Sequence, residues 1–332
     1  MLSYIVSILE RLWRGVLIVY ASDSGADTAN RLFRLLRGAG VPTAMIKYDG
    51  DLGRYWDCFD AIVLAMALSG AVRLVCKYAK SKVVDPAVVV IDDGGRYVIP
   101  ILSAHWGANE VAEAIARLMG AEAVITTAAE YMGVTNIEEL ARLLHCDIAN
   151  TEELPNFYSA LLSNKPICII GINELPKKVR GSYVIGVNAG CKHAIVVGDS
   201  HQSLKGIRVL QCVPYKVVIG VGLMNEAGID EVIKAIRTAL DRLGIGADRV
   251  LAVVSIKPKV GEAAKALGLP FRLVSIDELE RVNHGCATPP SDELRRLGVR
   301  GVAELAALAA GGTSLLLRKI VVGRVTVAVA RV

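Results

Sequence analysis

Ser103, His105, Gly107 and Asn109 fall within one short stretch, SAHWGAN. The apolar run YVIPIL precedes it and the amphipathic run ANEVAEAIARLM follows it. A histidine in a polar loop at such a junction titrates near neutral pH and can act as a general base. The first N–H groups of the helix that follows can hold a carboxylate or a developing oxyanion. The same residues equally suit a structural role, with Ser103 or Asn109 capping the helix and His105 as a hydrogen-bonding group. The serine lies outside any GxSxG pattern, so it is not a nucleophile elbow.

Other groups are weighed in the same way. Gly70 and Arg73 belong to a second strand-to-helix turn, SGAVR. A cation in a first helical turn opposes the helix dipole, and an anionic partner explains it as well as simple exposure does. Thr126 and Thr127 close the run AVITT, where their hydroxyls can bind carboxylates or merely end a β-branched strand. Gly220-Val221-Gly222 resembles the start of a phosphate-binding fingerprint, but Asn225 stands where the third glycine belongs, which argues against a dinucleotide. Cys191-Lys192-His193 and His145-Cys146-Asp147 hold metal-ligand types, but each cluster is isolated, so no protein-bound metal is expected.

The elements that must position these residues alternate. Strands are expected at 15–21, 42–47, 60–67, 86–91, 97–102 and 123–127, and helices at 28–37, after 70 and at 108–119. Asp93-Gly94-Gly95 signals a hairpin. This predicts a largely parallel sheet with helices on both faces. Residues 131–213 form a connector and a small strand-rich middle region with Gly and Pro punctuation, and residues 214–332 return to an α/β pattern. The expected division is therefore an N-terminal helical extension over 1–14, α/β domains over 15–130 and 214–332, and a middle domain over 131–213.

Composition narrows the class. Of 332 residues, 53% are hydrophobic and 21% charged, enough to bury large cores and too apolar for disorder. The formal charge of +5 suits a small polyanion such as a polycarboxylate or a phosphate ester. Without a dense basic run, nucleic acid is not an expected partner. Glu10, Arg11 and Arg14 interrupt the first apolar run, so a short amphipathic helix is expected there and neither a signal peptide nor a membrane span. The 7 cysteines are scattered without a CxxC pair, which predicts reduced thiols in a cytoplasmic protein.

Several blocks resemble, in order, the CbiG family of cobalamin biosynthesis. They are FDAIVLAMALSGAVR (59–73), DPAVVVID (85–92), GRYVIPILSAHWGANEVAEAIA (95–116), AEAVITTAAE (121–130), SIKPK (255–259), GVRGVAELAALAA (298–310) and LLLRK with VTVAVAR (315–331). The family's L-L-S-G-H-x-G-G-A-N-E-L-A signature is one residue shorter here, with Ala104 for a glycine and the single Gly107 for two. Glu130 replaces an aspartate, and GVGLMNEAG (220–228) stands where a G-x-G-C-R-R/K-G pattern is expected. The resemblance implies a cobalt-precorrin-5A hydrolase, which opens the lactone of a polycarboxylate cobalt corrinoid and releases acetaldehyde. On that reading His105 is the general base toward water. Ser103, Asn109 and the N–H groups near Gly107 bind the oxyanion or a carboxylate. Gly70, Arg73, Thr126 and Thr127 line the remaining carboxylate sites. Cobalt arrives with the substrate, so no protein cofactor is implied. Hand-over to neighbouring pathway enzymes and a homodimer fit the same picture. The alternative is a corrinoid-binding carrier that has lost catalysis.

Overall fold

Short apolar runs become the strands of three sheets in this computed structural model. It describes residues 8–80, 85–103, 107–126, 134–176, 179–187, 190–198, 204–282, 284–288 and 301–332. The chain forms two compact units, residues 1–126 with 216–332, and residues 127–215.

The first sheet has the order β2-β1-β3-β4-β5-β6, with β1 Val16–Tyr20, β2 Thr43–Lys47, β3 Ala61–Ala65, β4 Ala87–Ile91, β5 Tyr97–Leu102 and β6 Glu122–Ala123. β1 to β4 are parallel, β5 runs antiparallel to β4, and β6 runs parallel to β5. Successive side chains point to opposite faces. Val16, Ile18, Val63 and Val89 thus meet helices α1 (Asp23–Gly38) and α4 (Ala108–Met119), through Leu32, Leu36, Val111 and Ile115. Leu17, Val19, Ile62 and Val90 face the other way, toward α2 (Gly53–Trp56) and α3 (Leu68–Val75), through Trp56, Ala71 and Leu74. Burial on both faces is why these strands read as continuous apolar runs. Ser22 caps α1, its Oγ accepting from the Gly25 N–H at 3.0 Å. Of the expected N-terminal helix, Leu9 and Leu12 are buried in the first core, while Leu2 and Ile5 lie outside the described residues.

The same unit carries the C-terminal sheet, ordered β14-β13-β12-β16-β15. Its strands are β12 Val217–Leu223, β13 Val250–Ser255, β14 Phe271–Leu273, β15 Ser314–Val322 and β16 Val325–Arg331. β12, β13 and β14 are parallel, and the β15–β16 hairpin joins β12 antiparallel. The glycines of GVG are explained here. Both lie inside β12, and a Cβ at Gly220 would meet the Ala303 carbonyl of helix α10 (Val302–Ala309) at 1.9 Å. They admit a helix rather than a phosphate.

Arg318 on β15 ties the two parts of this unit together. It is 3% exposed and donates to the carbonyls of Arg14 (2.9 Å), Cys58 (3.0 Å) and Cys286 (2.9 Å) and to Thr288 Oγ1 (2.8 Å). Its guanidinium lies 4.0 Å from the centroid of the Phe59 ring. The buried Glu304 accepts from Thr288 N (2.6 Å) and Oγ1 (2.9 Å) and from Lys319 N (3.0 Å). The Arg318 N–H also donates to the Trp13 carbonyl at 3.0 Å, covering part of the β15 edge.

The expectation of reduced thiols is overturned. Cys58–Cys286, Cys146–Cys212 and Cys168–Cys191 are disulfides, with Cα separations of 4.9, 5.4 and 6.0 Å, and Cys76 is the free, exposed cysteine. Their partners stand 228, 66 and 23 residues apart and meet only through tertiary folding, so spacing along the chain does not reveal them.

The second unit is a sheet of order β7-β11-β10-β8-β9. Its strands are β7 Cys146–Ile148, β8 Ile167–Ile170, β9 Tyr183–Ile185, β10 His193–Val197 and β11 Arg208–Pro214. Helices α5 (Ile137–Leu143) and α6 (Leu154–Leu162) supply Leu140 and Phe157 to its core. No helix among the described residues is long and apolar enough to cross a membrane.

Candidate active site

Because β5 runs antiparallel to β4, its C-terminal end lies where β4 begins. Ser103 therefore sits beside Asp85, and its Oγ donates to the Asp85 carbonyl at 3.1 Å. Ser103 is 7% exposed and holds φ +60°, one of three non-glycine residues in the left-handed region among the described residues. Strain of this kind in a side chain that points into a polar corner is a recognised mark of functional sites. The Asp85 carboxylate is itself buried. It accepts from Trp56 Nε1 at 2.9 Å and from the Lys80 N–H at 2.9 and 3.0 Å.

Gly107, at φ +89°, is the N-cap of α4, and among the described residues no side chain caps that helix. The capping role considered for Ser103 and Asn109 is thus not the one observed. Ser103 instead accepts the Ala108 N–H through its carbonyl at 3.4 Å, and Asn109 is buried in the first turn at 6% exposure. Ser103 and Gly107 both hold left-handed backbone, and the positive end of the twelve-residue helix α4 begins beside Gly107.

Thr126 is exposed and follows β6, which ends at Ala123 rather than continuing to 127. The Val124 N–H still bonds the Val98 carbonyl at 2.9 Å, so the segment runs alongside β5 toward the Ser103 end. His105 and Thr127 lie outside the described residues.

Gly70 and Arg73 are placed differently. Both are exposed on α3, which starts at the C-terminal end of β3, the opposite edge from Ser103. The strand length separating the two edges is roughly 13 Å. Helix α3 begins at Leu68, so Arg73 falls in its last turn, where a cation complements the dipole. The dipole argument for an anion beside Arg73 does not hold. A Cβ at Gly70 meets nothing within 4 Å, so that position has no steric need for glycine.

One carboxylate escaped the sequence reading. Glu110 is partly buried in the first turn of α4, and its Oε2 lies 3.6 Å from where a Cβ on Gly107 would stand. An acid in a first helical turn is a common dipole partner, so its type and position gave no separate signal. Among the described residues no cluster of three His, Cys, Asp or Glu side chains could hold a metal ion. The edge can accept an anion at the α4 terminus, present the Ser103 hydroxyl and place a carboxylate nearby.

Comparison with known proteins matches the chain in three parts. Family profiles described as Cobalamin synthesis G N-terminal, CbiG-like linker domain and Cobalamin synthesis G C-terminus match residues 51–130, 135–212 and 217–330. A crystal structure of a cobalamin biosynthesis protein G homolog from Sulfolobus solfataricus superposes with TM-score 0.83 at 35% identity, covering 98% of this chain and 99% of that one. The cobalt-precorrin-5A hydrolase of Priestia megaterium is 28% identical over 83% of this chain and 79% of its own length. The enzyme of the same name from Salmonella typhimurium is 25% identical over 68% and 69%. With all three parts matched in order and the fold shared from end to end, this chain belongs to the cobalamin biosynthesis protein G (CbiG) family.

Proposed function

We propose that this chain is a cobalt-precorrin-5A hydrolase that opens the substrate's lactone and releases the two-carbon bridge as acetaldehyde. The observation that carries the reading is the left-handed Ser103 beside a helix whose N-cap is the left-handed Gly107, in a chain whose curated relatives bear that name over most of its length. Lactone opening needs an activated water and a stabilised oxyanion. His105 serves as the base toward water. The Ser103 hydroxyl, once it turns from the Asp85 carbonyl, and the N–H groups at Gly107 receive the oxyanion, and Asn109, Thr126 and Thr127 bind carboxylates. Gly70 and Arg73, on the opposite edge, would contact only a distant arm of a large substrate. In this reading the corrinoid brings its own cobalt, and enzymes that act next receive the product.

The test is single-turnover incubation with anaerobically prepared cobalt-precorrin-5A, measuring acetaldehyde. Wild-type protein releases one equivalent and His105→Ala releases none. Tight binding of the precursor by the wild type without acetaldehyde would replace the hydrolase by a carrier.

A further inference from the structure

The C-terminal sheet has an edge of its own that the reaction does not use. β12, β13 and β14 are parallel, and their C-terminal ends come level. Ser255 Oγ donates to the Val221 carbonyl at 2.8 Å, and the Val274 N–H donates to the Ser255 carbonyl at 3.0 Å. Open α/β sheets place ligands outside such ends.

Two cations stand there on prepared supports. The Lys257 N–H donates to the fully buried Ser255 Oγ at 3.2 Å, and Lys257 Nζ donates to Asn225 Oδ1 at 3.1 Å. Lys259 opens helix α8 (Lys259–Ala266), and its Nζ donates to the Ala227 carbonyl at 2.5 Å. Both side chains are partly buried, and both ammonium groups rest on the short stretch 225–227. Their partners are neutral oxygens. Elsewhere in this sheet the charges are matched, Arg272 with Glu278 and Arg324 with Glu231, each at 3.0 Å. Among the described residues no carboxylate pairs with Lys257 or Lys259. The edge is also apolar at its rim. Met224 is 61% exposed in the turn after β12, and Ile276 is 62% exposed at the start of helix α9 (Ile276–Glu280).

Two tethered ammonium groups, with Glu226 of the same stretch exposed but not paired to either among the described residues, and exposed Met224 next to that stretch, fit a flat apolar ring that carries acid arms. We infer that this edge is a second binding site, at which Lys257 and Lys259 take carboxylates of a polyacid macrocycle. The macrocycle's identity rests on the corrinoid reading above, whereas the carboxylate site rests on the lysines alone.

The experiment is calorimetric titration of the full chain with three probes: cobyrinic acid, its fully amidated neutral counterpart, and benzenehexacarboxylate. The variants are Lys257→Gln with Lys259→Gln, and Lys265→Gln, an exposed control on the same helix. Loss of charge-assisted hydrogen bonds weakens both polyacids about tenfold or more in the double variant. The neutral probe is unaffected, and Lys265→Gln behaves as wild type. Polyacid binding undiminished in the double variant overturns the site, even if turnover of the corrinoid precursor persists. Lysine-dependent binding of benzenehexacarboxylate without any corrinoid binding upholds the carboxylate site and removes the corrinoid reading. No binding of either polyacid removes both.

Discussion

The Arg318 clasp and the Ser103 edge lie in the same unit and both hold polar groups against apolar cores, yet they are built in opposite ways. At the clasp the guanidinium donates to four fixed oxygens of the protein, and the adjacent Glu304 is likewise filled by Thr288 and Lys319. Its geometry is spent on holding β15 to residues 14 and 58. At the edge, Ser103 is held in a costly backbone conformation and α4 begins, among the described residues, without a side-chain cap. Burial with full satisfaction marks structure, and strain beside an uncapped helix marks function. Substitutions in the two regions should therefore separate stability from turnover.

The largest effect belongs to Arg318→Met. Removing the guanidinium strands the carbonyls of Arg14, Cys58 and Cys286 in a buried corner, with a cost of about 3–5 kcal/mol. The denaturation midpoint should fall sharply, while acetaldehyde release by the protein that remains folded is unchanged. An unaltered midpoint would break the comparison, because the clasp would then hold nothing.

Cys58→Ser with Cys286→Ser comes next. The disulfide closes a 228-residue separation beside the clasp, and its loss should cost about 2–4 kcal/mol. A dithiol reductant should lower the wild-type midpoint by more than that of the double variant, which keeps Cys146–Cys212 and Cys168–Cys191. Equal response of both proteins to reductant would assign the effect to the other two disulfides.

Ser103→Gly reverses the pattern. Relief of the left-handed strain offsets the lost hydrogen bond to Asp85 and the added chain entropy to within about 1 kcal/mol, so stability barely moves. Turnover should nonetheless drop by roughly a hundredfold to a thousandfold, as expected for a lost oxyanion donor. A full-rate Ser103→Gly enzyme would reduce Ser103 to a backbone device.

How much of this was legible in the sequence differs between the two regions. The apolar runs VLIVY, AIVLA and AVVVI announce buried strands, and Asp93-Gly94-Gly95 announces the hairpin, so the first sheet could be written down before folding. The direction of β5 was implied by that hairpin. It puts Ser103 and Gly70 on opposite edges, which residue types alone do not show. The start of α3 at Leu68 reversed the meaning of Arg73 for a similar reason, since a helix of eight residues turns a first-turn cation into a last-turn one. The clasp was invisible. Arg318 lies in a strand-like run, LLLRK, and its partners come from positions 14, 58, 286 and 288. Gly220 and the disulfides were hidden by the same dependence on contacts distant in sequence.

Gly107→Ala gives the smallest and most diagnostic effect. Among the described residues a Cβ there meets only Glu110 Oε2, at 3.6 Å, which is ordinary contact, so these residues leave it space. The cost is conformational, because φ +89° disfavours a side chain by about 1–2 kcal/mol. Stability should fall by about that amount, and turnover by a few-fold as the first N–H groups of α4 are re-aimed. Asparagine tolerates the left-handed region, so Gly107→Asn should recover most of both losses. If Gly107→Asn is as impaired as Gly107→Ala in turnover but not in stability, the side chain itself obstructs the ligand. The backbone approach at Gly107 would then be a direct substrate contact, which gives the edge a defined wall that the clasp, closed on itself, does not have.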